Sequence, residues 1–256
     1  MELLQDTLKR NAPKMARDLT DRGYFTMLNV LPKEIIAAMR DQSVDLRKRG
    51  RFEPSWSERI VDGKAVRFDK EGVYACEPDG KDYDAAPDLI AYMSVLLQTL
   101  PDALNGEALT SDVDLSSAAF NAKLAVTSPG GSVYPLHIDN PQGLAAGDTR
   151  KLTCIVYLNP RYREGRDGGE LRMILGDVGD DDNGAVVDLP PQGGRLLMFW
   201  SDEIPHEVLP SAPAARREDE QLDRYALTVW IPTENVTAIH NESSKFCALK
   251  DTILFT

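Results

Sequence analysis

Residues that build cross-links and metal cages are scarce here: three cysteines and three histidines in 256 positions. Cys76, Cys154 and Cys247 are widely spaced and form no C-x-x-C pair, which excludes a thiolate zinc cage and a disulfide framework. They read as reduced thiols in a cytoplasmic protein, with the nucleus as a second compartment, so the sequons at Asn235 and Asn241 are chance matches. No run approaches the roughly 20 apolar residues of a membrane-spanning helix. The N-terminus lacks a basic segment followed by an apolar one, so neither a membrane partner nor a secretory signal is expected. Positive charge is also short. With 29 Lys and Arg against 41 Asp and Glu, the formal net charge of -12 argues against nucleic acid as a partner.

What is present suits a globular α+β chain, 42% hydrophobic and 27% charged, of a length for a single domain spanning 1–256. A helix-rich part, 1–117, precedes a strand-and-turn part, 118–232, and a tail, 233–256. In the first part, residues 2–20 carry a helical apolar pattern interrupted near Pro13, Gly23–Val30 reads as a strand, and Pro32 opens a second helix. Pro87–Leu100 is the strongest helix, with Leu89, Met93, Leu96, Leu97 and Leu100 at core-packing spacing. Between the helices, 50–85 is rich in Gly, Pro and charge and reads as a loop-rich, substrate-capturing segment with short strand-like pieces. From 118 onward, short apolar strands separated by Gly, Pro and Asp clusters suggest a barrel or two-sheet jelly roll. Two charged insertions, 176–183 and 210–223, read as surface loops.

Two of the three histidines fall in a chemical pattern. His137 and Asp139 are two apart, so on a strand they leave the same face, and His206 follows Pro205 in a later strand. Two imidazoles and one carboxylate form the facial triad of non-heme ferrous oxygenases, with positions left open for co-substrates. Such a site needs a cation for a co-substrate carboxylate. Arg216, Arg217 and Arg224 are the candidates after His206, and Arg224 is preferred because it begins an apolar strand and must meet an anion or snorkel out. The third histidine, His240, reads as a surface residue, and Trp56, Trp200 and Cys154 as packing residues.

Six ordered motifs then carry a resemblance: Tyr134-x-x-His137-Ile-Asp139-Asn-Pro-x-Gly143, Thr153-Cys-Ile-Val-Tyr157-Leu-Asn159, Gly168-Gly-Glu-Leu171-Arg, Phe199-Trp-Ser-Asp, Pro205-His206-Glu-Val, and Arg224-Tyr-Ala-Leu-Thr-Val-Trp230. Together they resemble the 2-oxoglutarate- and Fe(II)-dependent prolyl 4-hydroxylases, most of all the intracellular branch that holds the hypoxia-inducible-factor and Skp1 prolyl hydroxylases. The match is strong over 118–232 and weaker back to Gly23.

The resemblance implies a double-stranded β-helix, or jelly roll, with helices packed on its larger sheet. It implies Fe(II) on His137, Asp139 and His206, and 2-oxoglutarate held by Arg224 and Tyr157 in a pocket lined by Leu171 and Thr228. It places Trp230 near the metal where a target proline docks. The branch has a tyrosine at the start of the Pro-Gly turn before the metal strand, where this chain has Thr127-Ser128-Pro129 and a turn one residue shorter; either hydroxyl is a stand-in if the backbone lies closer, with Ser128 taken as the co-substrate contact. Within 50–85, Arg59, Lys64 and Arg67 are available to contact a substrate, and deleting 58–70 should abolish peptide turnover while sparing 2-oxoglutarate binding.

The implied reaction consumes O2 and 2-oxoglutarate, gives 4-hydroxyproline, succinate and CO2, and takes ascorbate as a reductant. The expected partner is a cytosolic protein bearing a target proline: a Skp1-like adaptor, a hypoxia-inducible-factor-like transcription factor or a translation factor. The enzyme itself is expected to be a monomer, with oxygen sensing among the implied roles. Rival readings keep the fold and change the job, either to hydroxylation of another residue or a small molecule, or to a catalytically inactive metal-dependent interaction module.

Overall fold

The structure, a computed structural model, describes residues 1–61, 64–130, 134–176, 185–212, 223–240 and 246; between 57 and 69 it describes the side chain of Arg67 alone. Among the described residues, no helix is long and apolar enough to cross a membrane.

Helix α1 runs Glu2–Arg22 without a break at Pro13. A proline inside a helix loses one backbone hydrogen bond, but here Leu4, Leu8, Met15 and Leu19 on both sides of it are buried in one stripe. Each fully buried leucine contributes about 1.5–3 kcal/mol, enough together to hold the helix through the proline. Gly23 ends it in the left-handed region (φ 78°), where its N–H donates to the Leu19 carbonyl. Strand β1 is only Tyr24–Met27. The strand expected as far as Val30 stops early because Leu28 faces solvent and Asn29 turns the chain at φ 55°. Helix α2, Lys33–Lys48, follows Pro32 at its N-cap. Helix α3 starts at Pro87 as expected and continues through Pro101 to Asn105.

The segment read as loop-rich is instead a long hairpin, β2 (Glu53–Val61) and β3 (Lys64–Cys76). Its strands can carry eight charged residues because they form the edge of a sheet. Edge strands are not buried on both faces and need no apolar run.

Then follow β4 (Asn121–Thr127), β5 (Tyr134–His137), β6 (Arg150–Tyr157), β7 (Leu171–Leu175), β8 (Ala185–Leu189), β9 (Leu196–Trp200), β10 (His206–Val208) and β11 (Arg224–Pro232). They make a seven-stranded sheet, β1-β9-β6-β11-β4-β3-β2, facing a four-stranded one, β5-β10-β7-β8. All strand pairings among the described residues are antiparallel, as a jelly roll requires.

Period-two alternation along β11 assigns the faces. Tyr225 lies under Arg40 of α2, whose guanidinium is 4.3 Å from its ring centroid, and meets Phe52 edge-on; Tyr225, Leu227, Val229 and Ile231 therefore face the helices. Arg224, Ala226, Thr228 and Trp230 face the barrel interior. Both insertions fall largely outside the described residues, and Arg216 and Arg217 lie wholly outside them. Of the tail beyond residue 240, only Phe246 is described, and it is buried against the core.

Candidate functional site

The fold brings the three metal-type residues together. His137, at the end of β5, sits directly opposite His206 of β10, with ring centroids 4.3 Å apart. Asp139 follows in the next turn, and one ligating atom from each of His137, Asp139 and His206 lies within 4.8 Å of the others. Each histidine meets a backbone carbonyl two residues upstream: His137 Nδ1 to Pro135 O at 2.8 Å, and His206 Nδ1 to Ile204 O at 3.0 Å. Donating from Nδ1 leaves the lone pair on Nε2. Those Nε2 atoms stand 3.5 and 3.8 Å from Asp139 Oδ1.

The other carboxylate oxygen is already engaged. Asp139 Oδ2 accepts from the Thr153 hydroxyl at 2.8 Å and from the Trp230 indole at 2.9 Å. Thr153 is braced in turn by the Ser201 hydroxyl at 2.8 Å. The buried Asn140 ties the turn after Asp139 to the carbonyls of Asp148 and Arg150.

Burial pushes His206 down to about 4, helped by His137 and opposed by Asp139. Burial would raise Asp139, but His206, His137 and Trp230 outweigh it and hold the carboxyl well below its usual range. Two imidazole nitrogens and one carboxylate oxygen on one side of a point fit a divalent ion with its remaining positions open.

A second cluster lies at the opposite end of β11. Arg224, 8% exposed, donates from Nε to Gly169 O at 2.8 Å; its terminal nitrogens donate to none of the described residues. The guanidinium is 5.1 Å from the Tyr157 ring centroid. Gly169 leaves room for this arginine, since a Cβ there would sit 3.0 Å from Arg224 Cδ; Gly168 instead lets the chain pass the Pro210 carbonyl, 2.5 Å from where its Cβ would be.

Around Arg224, the buried hydroxyls of Tyr157, Thr127 and Ser211 find no hydrogen-bond partner among the described residues. Unpaired buried hydroxyls are costly, and three beside one arginine suit an anion that accepts from all of them. Burial pushes the Tyr157 phenol up against the pull of Arg224 and Arg195, so it stays a donor. A cavity of about 540 Å3 backs onto Arg224 between α2 and the 159–168 loop, and the metal-type residues do not line it.

Of the two turn hydroxyls, Thr127 is the one on the arginine's face. Thr127 is the position that pairs with Arg224 across β4 and β11 and is fully buried, whereas Ser128 lies beyond the end of β4 and is half-exposed. Register decides this, because directly opposite residues on paired strands share a face. Leu171 is buried in β7, and Thr228 sits on the inner face between Ile155 and Lys123.

In the hairpin, the side chains of Arg59 and Lys64 lie outside the described residues. Arg67 is exposed and stacks on Trp56, 4.6 Å from its ring centroid. Trp56 is thus no packing residue; it is 47% exposed, on an edge strand with no layer above it. Trp200 and Cys154 are buried as expected, Trp200 donating to the Leu19 carbonyl. His240 is about half-exposed, with Nε2 3.5 Å from Glu203. Thr153 and Ser201 stand in two of the ordered motifs but carry no assigned role in the sequence, since a threonine in an apolar strand reads simply as a strand former.

Residues 122–232 match the family model of the 2OG-Fe(II) oxygenase superfamily. Over that stretch, a little under half of its length, the chain is similar to a 2OG-Fe(II) oxygenase domain. Such a domain uses Fe(II), 2-oxoglutarate and O2, which the His137, Asp139 and His206 cluster fits. Among curated proteins, the chain is similar to Egl nine homolog 1 of Homo sapiens, 30% identical over 83% of this chain and 44% of that protein. It is also similar to the hypoxia-inducible factor prolyl hydroxylase of Caenorhabditis elegans, 27% identical over 95% of this chain and 32% of that protein.

The chain thus spans less than half of the length of either relative. Among solved structures, it resembles a prolyl hydroxylase in complex with a hypoxia inducible factor oxygen degradation domain peptide fragment from Trichoplax adhaerens. That likeness has a TM-score of 0.71 and 25% identity, covering 91% of this chain and 94% of that one. A Pseudomonas putida prolyl-4-hydroxylase gives a TM-score of 0.66 at 25% identity, over 87% of this chain and 99% of that one.

Proposed function

We propose that this domain hydroxylates a prolyl residue at C-4 in an intracellular protein, consuming 2-oxoglutarate and O2 and releasing succinate and CO2, with ascorbate as a reductant. One observation carries the reading: the inner face of one barrel has a two-histidine, one-carboxylate cluster at one end and a buried arginine with unpaired hydroxyls at the other. The similarity to prolyl hydroxylases, one of them solved with a peptide, supports proline in a protein as the target.

In this reading His137 and His206 bind the metal through Nε2 and Asp139 through Oδ1. Ferrous iron, when bound, supplies the redox centre for oxygen and 2-oxoglutarate. Thr153 and Trp230 hold Asp139 Oδ2, so that the carboxylate presents one oxygen only. Arg224 takes the distal carboxylate of 2-oxoglutarate through its two free terminal nitrogens, a planar fork for a planar anion. Tyr157 and Thr127 donate to the same group, with Leu171 and Thr228 as walls. Trp230, anchored to Asp139, also forms a side of the space where the proline ring docks. The adaptor-like, transcription-factor-like and translation-factor targets, and a monomeric enzyme, remain part of the proposal.

Anaerobic titration of the protein with Fe(II) and 2-oxoglutarate should give the visible charge-transfer band of the chelate, lost in His206→Ala and weakened in Arg224→Ala. Proline peptides should then gain one oxygen by mass, with matching succinate. A band without peptide-dependent succinate would remove the prolyl assignment, and no band in folded protein would remove the oxygenase assignment.

A further inference from the structure

Two lysines stand over one aromatic ring beside the metal cluster. Lys70 of β3 places Nζ 3.8 Å from the Tyr134 ring centroid, and Lys123 of β4 places Nζ 5.9 Å from it. The Tyr134 ring is 6.3 Å from that of His137, so a single side chain separates the cations from a metal-type residue. Lys123 is on the barrel's inner face, opposite Thr228. Its Nζ lies 3.4 Å from the Ser55 hydroxyl, which is itself 3.4 Å from the Tyr134 hydroxyl.

Neither lysine forms a salt bridge with a described carboxylate, although other cations of this acidic chain do: Arg47 with Asp223, Arg51 with Asp82, and Lys151 with Asp202 and Glu203. A shortage of acids is not the reason, since acids outnumber bases 41 to 29. The tyrosine face attracts cations without neutralising them. Burial and the neighbouring Lys123 lower Lys70 to about 8, with Asp139 acting in the opposite sense. A half-buried pair of like charges, faced by two hydroxyls, is an arrangement that an anion would complete.

We propose that Lys70, Lys123, Ser55 and Tyr134 form a carboxylate-binding subsite, which selects protein substrates with an acidic side chain close to the residue to be hydroxylated. This rests on the hydroxylase reading above and names the substrate class for it. Positive charge at the mouth of an otherwise acidic protein would also draw such a segment in from solution and turn its acidic side towards the metal. The co-substrate is the competing occupant, because it too carries carboxylates.

The test uses short peptides with a central proline and Glu or Gln beside it, assayed with the full chain loaded with Fe(II) and 2-oxoglutarate. The parent should show a KM for the Glu peptide about tenfold below that for the Gln peptide. In the Lys70→Met/Lys123→Met double variant, the Glu peptide should rise to the level of the Gln peptide. Lys123→Arg, which keeps the charge and guards against a folding artefact, should retain the preference. Equal KM values in the parent overturn the subsite. So does a double variant that weakens 2-oxoglutarate binding and keeps the Glu preference, which would hand the lysines to the co-substrate. If no proline peptide is turned over, the prolyl reading fails separately, and anisotropy of the labelled Glu and Gln peptides decides the subsite, equal affinities overturning it.

Discussion

The two ends of the barrel interior are finished to different degrees. At the metal end, the protein supplies the second partner of every ligand: backbone carbonyls for both Nδ1 atoms, and Thr153 and Trp230 for Asp139 Oδ2. At the arginine end, among the described residues, only Nε of Arg224 is satisfied, and the hydroxyls of Tyr157, Thr127 and Ser211 meet no partner. Geometry that must stay fixed is pinned by the protein's own hydrogen bonds, as second-shell partners pin metal ligands. Donors meant for an exchangeable anion are left to be completed by it. If so, substitutions at the metal end should damage the protein with or without ligand, and those at the arginine end should show mainly when 2-oxoglutarate is offered.

The largest effect is expected at Arg224. Arg224→Ala removes one partner of a buried charge pair, a change worth about 2–5 kcal/mol. By calorimetry, 2-oxoglutarate affinity should fall by a factor on the order of 30 or more, while Fe(II) affinity stays within about twofold. A parallel loss of Fe(II) binding would erase the distinction between the ends.

Protonation should act at the metal end alone. In metal-free protein, His206 is held at about 4, below the roughly 6.5 of an unfolded histidine. The unfolded chain therefore binds the extra proton between those values. The stability tied to neutral His206 is complete above about pH 6.5 and is lost as pH falls towards 4, by an amount on the order of 3 kcal/mol. Urea midpoints should drop across that window in the parent and drop less in His206→Ala. Equal slopes would show that His206 is not buried in neutral form.

Next in size are the groups that hold Asp139. Thr153→Val and Trp230→Phe should each weaken Fe(II) binding by about 10–100-fold, the usual range for second-shell partners of ligands. Both should also lower the melting temperature of the metal-free protein, because Asp139 Oδ2 loses a donor. Unchanged metal affinity in both would mean that the carboxylate needs no orienting.

How much of this could be read from the sequence depended on whether a residue's local pattern carried the information. The two-residue spacing of His137 and Asp139 pointed to one cluster, although β5 ends at His137 and Asp139 lies in the turn after it, and Arg224 stands out because a charge opens an apolar strand. Both positions were legible, and so was the jelly roll, from short strands between turn residues. The hairpin 53–76 was not, since edge strands lack the apolar signal on which strand recognition rests. The unbroken α1 was hidden by Pro13, whose local penalty is outweighed by packing with residues far along the chain. Which hydroxyl of Thr127-Ser128 enters the arginine pocket depends on the pairing of β4 with β11, a relation nearly a hundred residues long in sequence.

That same hydroxyl offers the smallest effect and the sharpest contrast. Thr127→Val keeps the shape and removes only Oγ1, which is buried and bonded to none of the described residues. Removing an unsatisfied buried hydroxyl should leave the ligand-free protein as stable as the parent or slightly more so. With 2-oxoglutarate, one donor is missing, and binding should weaken by about 1 kcal/mol, or roughly five- to tenfold. Thr153→Val, the same chemical change 26 residues on, should destabilise the ligand-free protein, because its hydroxyl is one that Asp139 uses. Opposite signs for the two valine substitutions in the ligand-free melt would establish that the ends differ by design of their hydrogen bonds. Two equal destabilisations would mean that Thr127 has a protein partner after all, and that Ser128 regains its claim on the carboxylate.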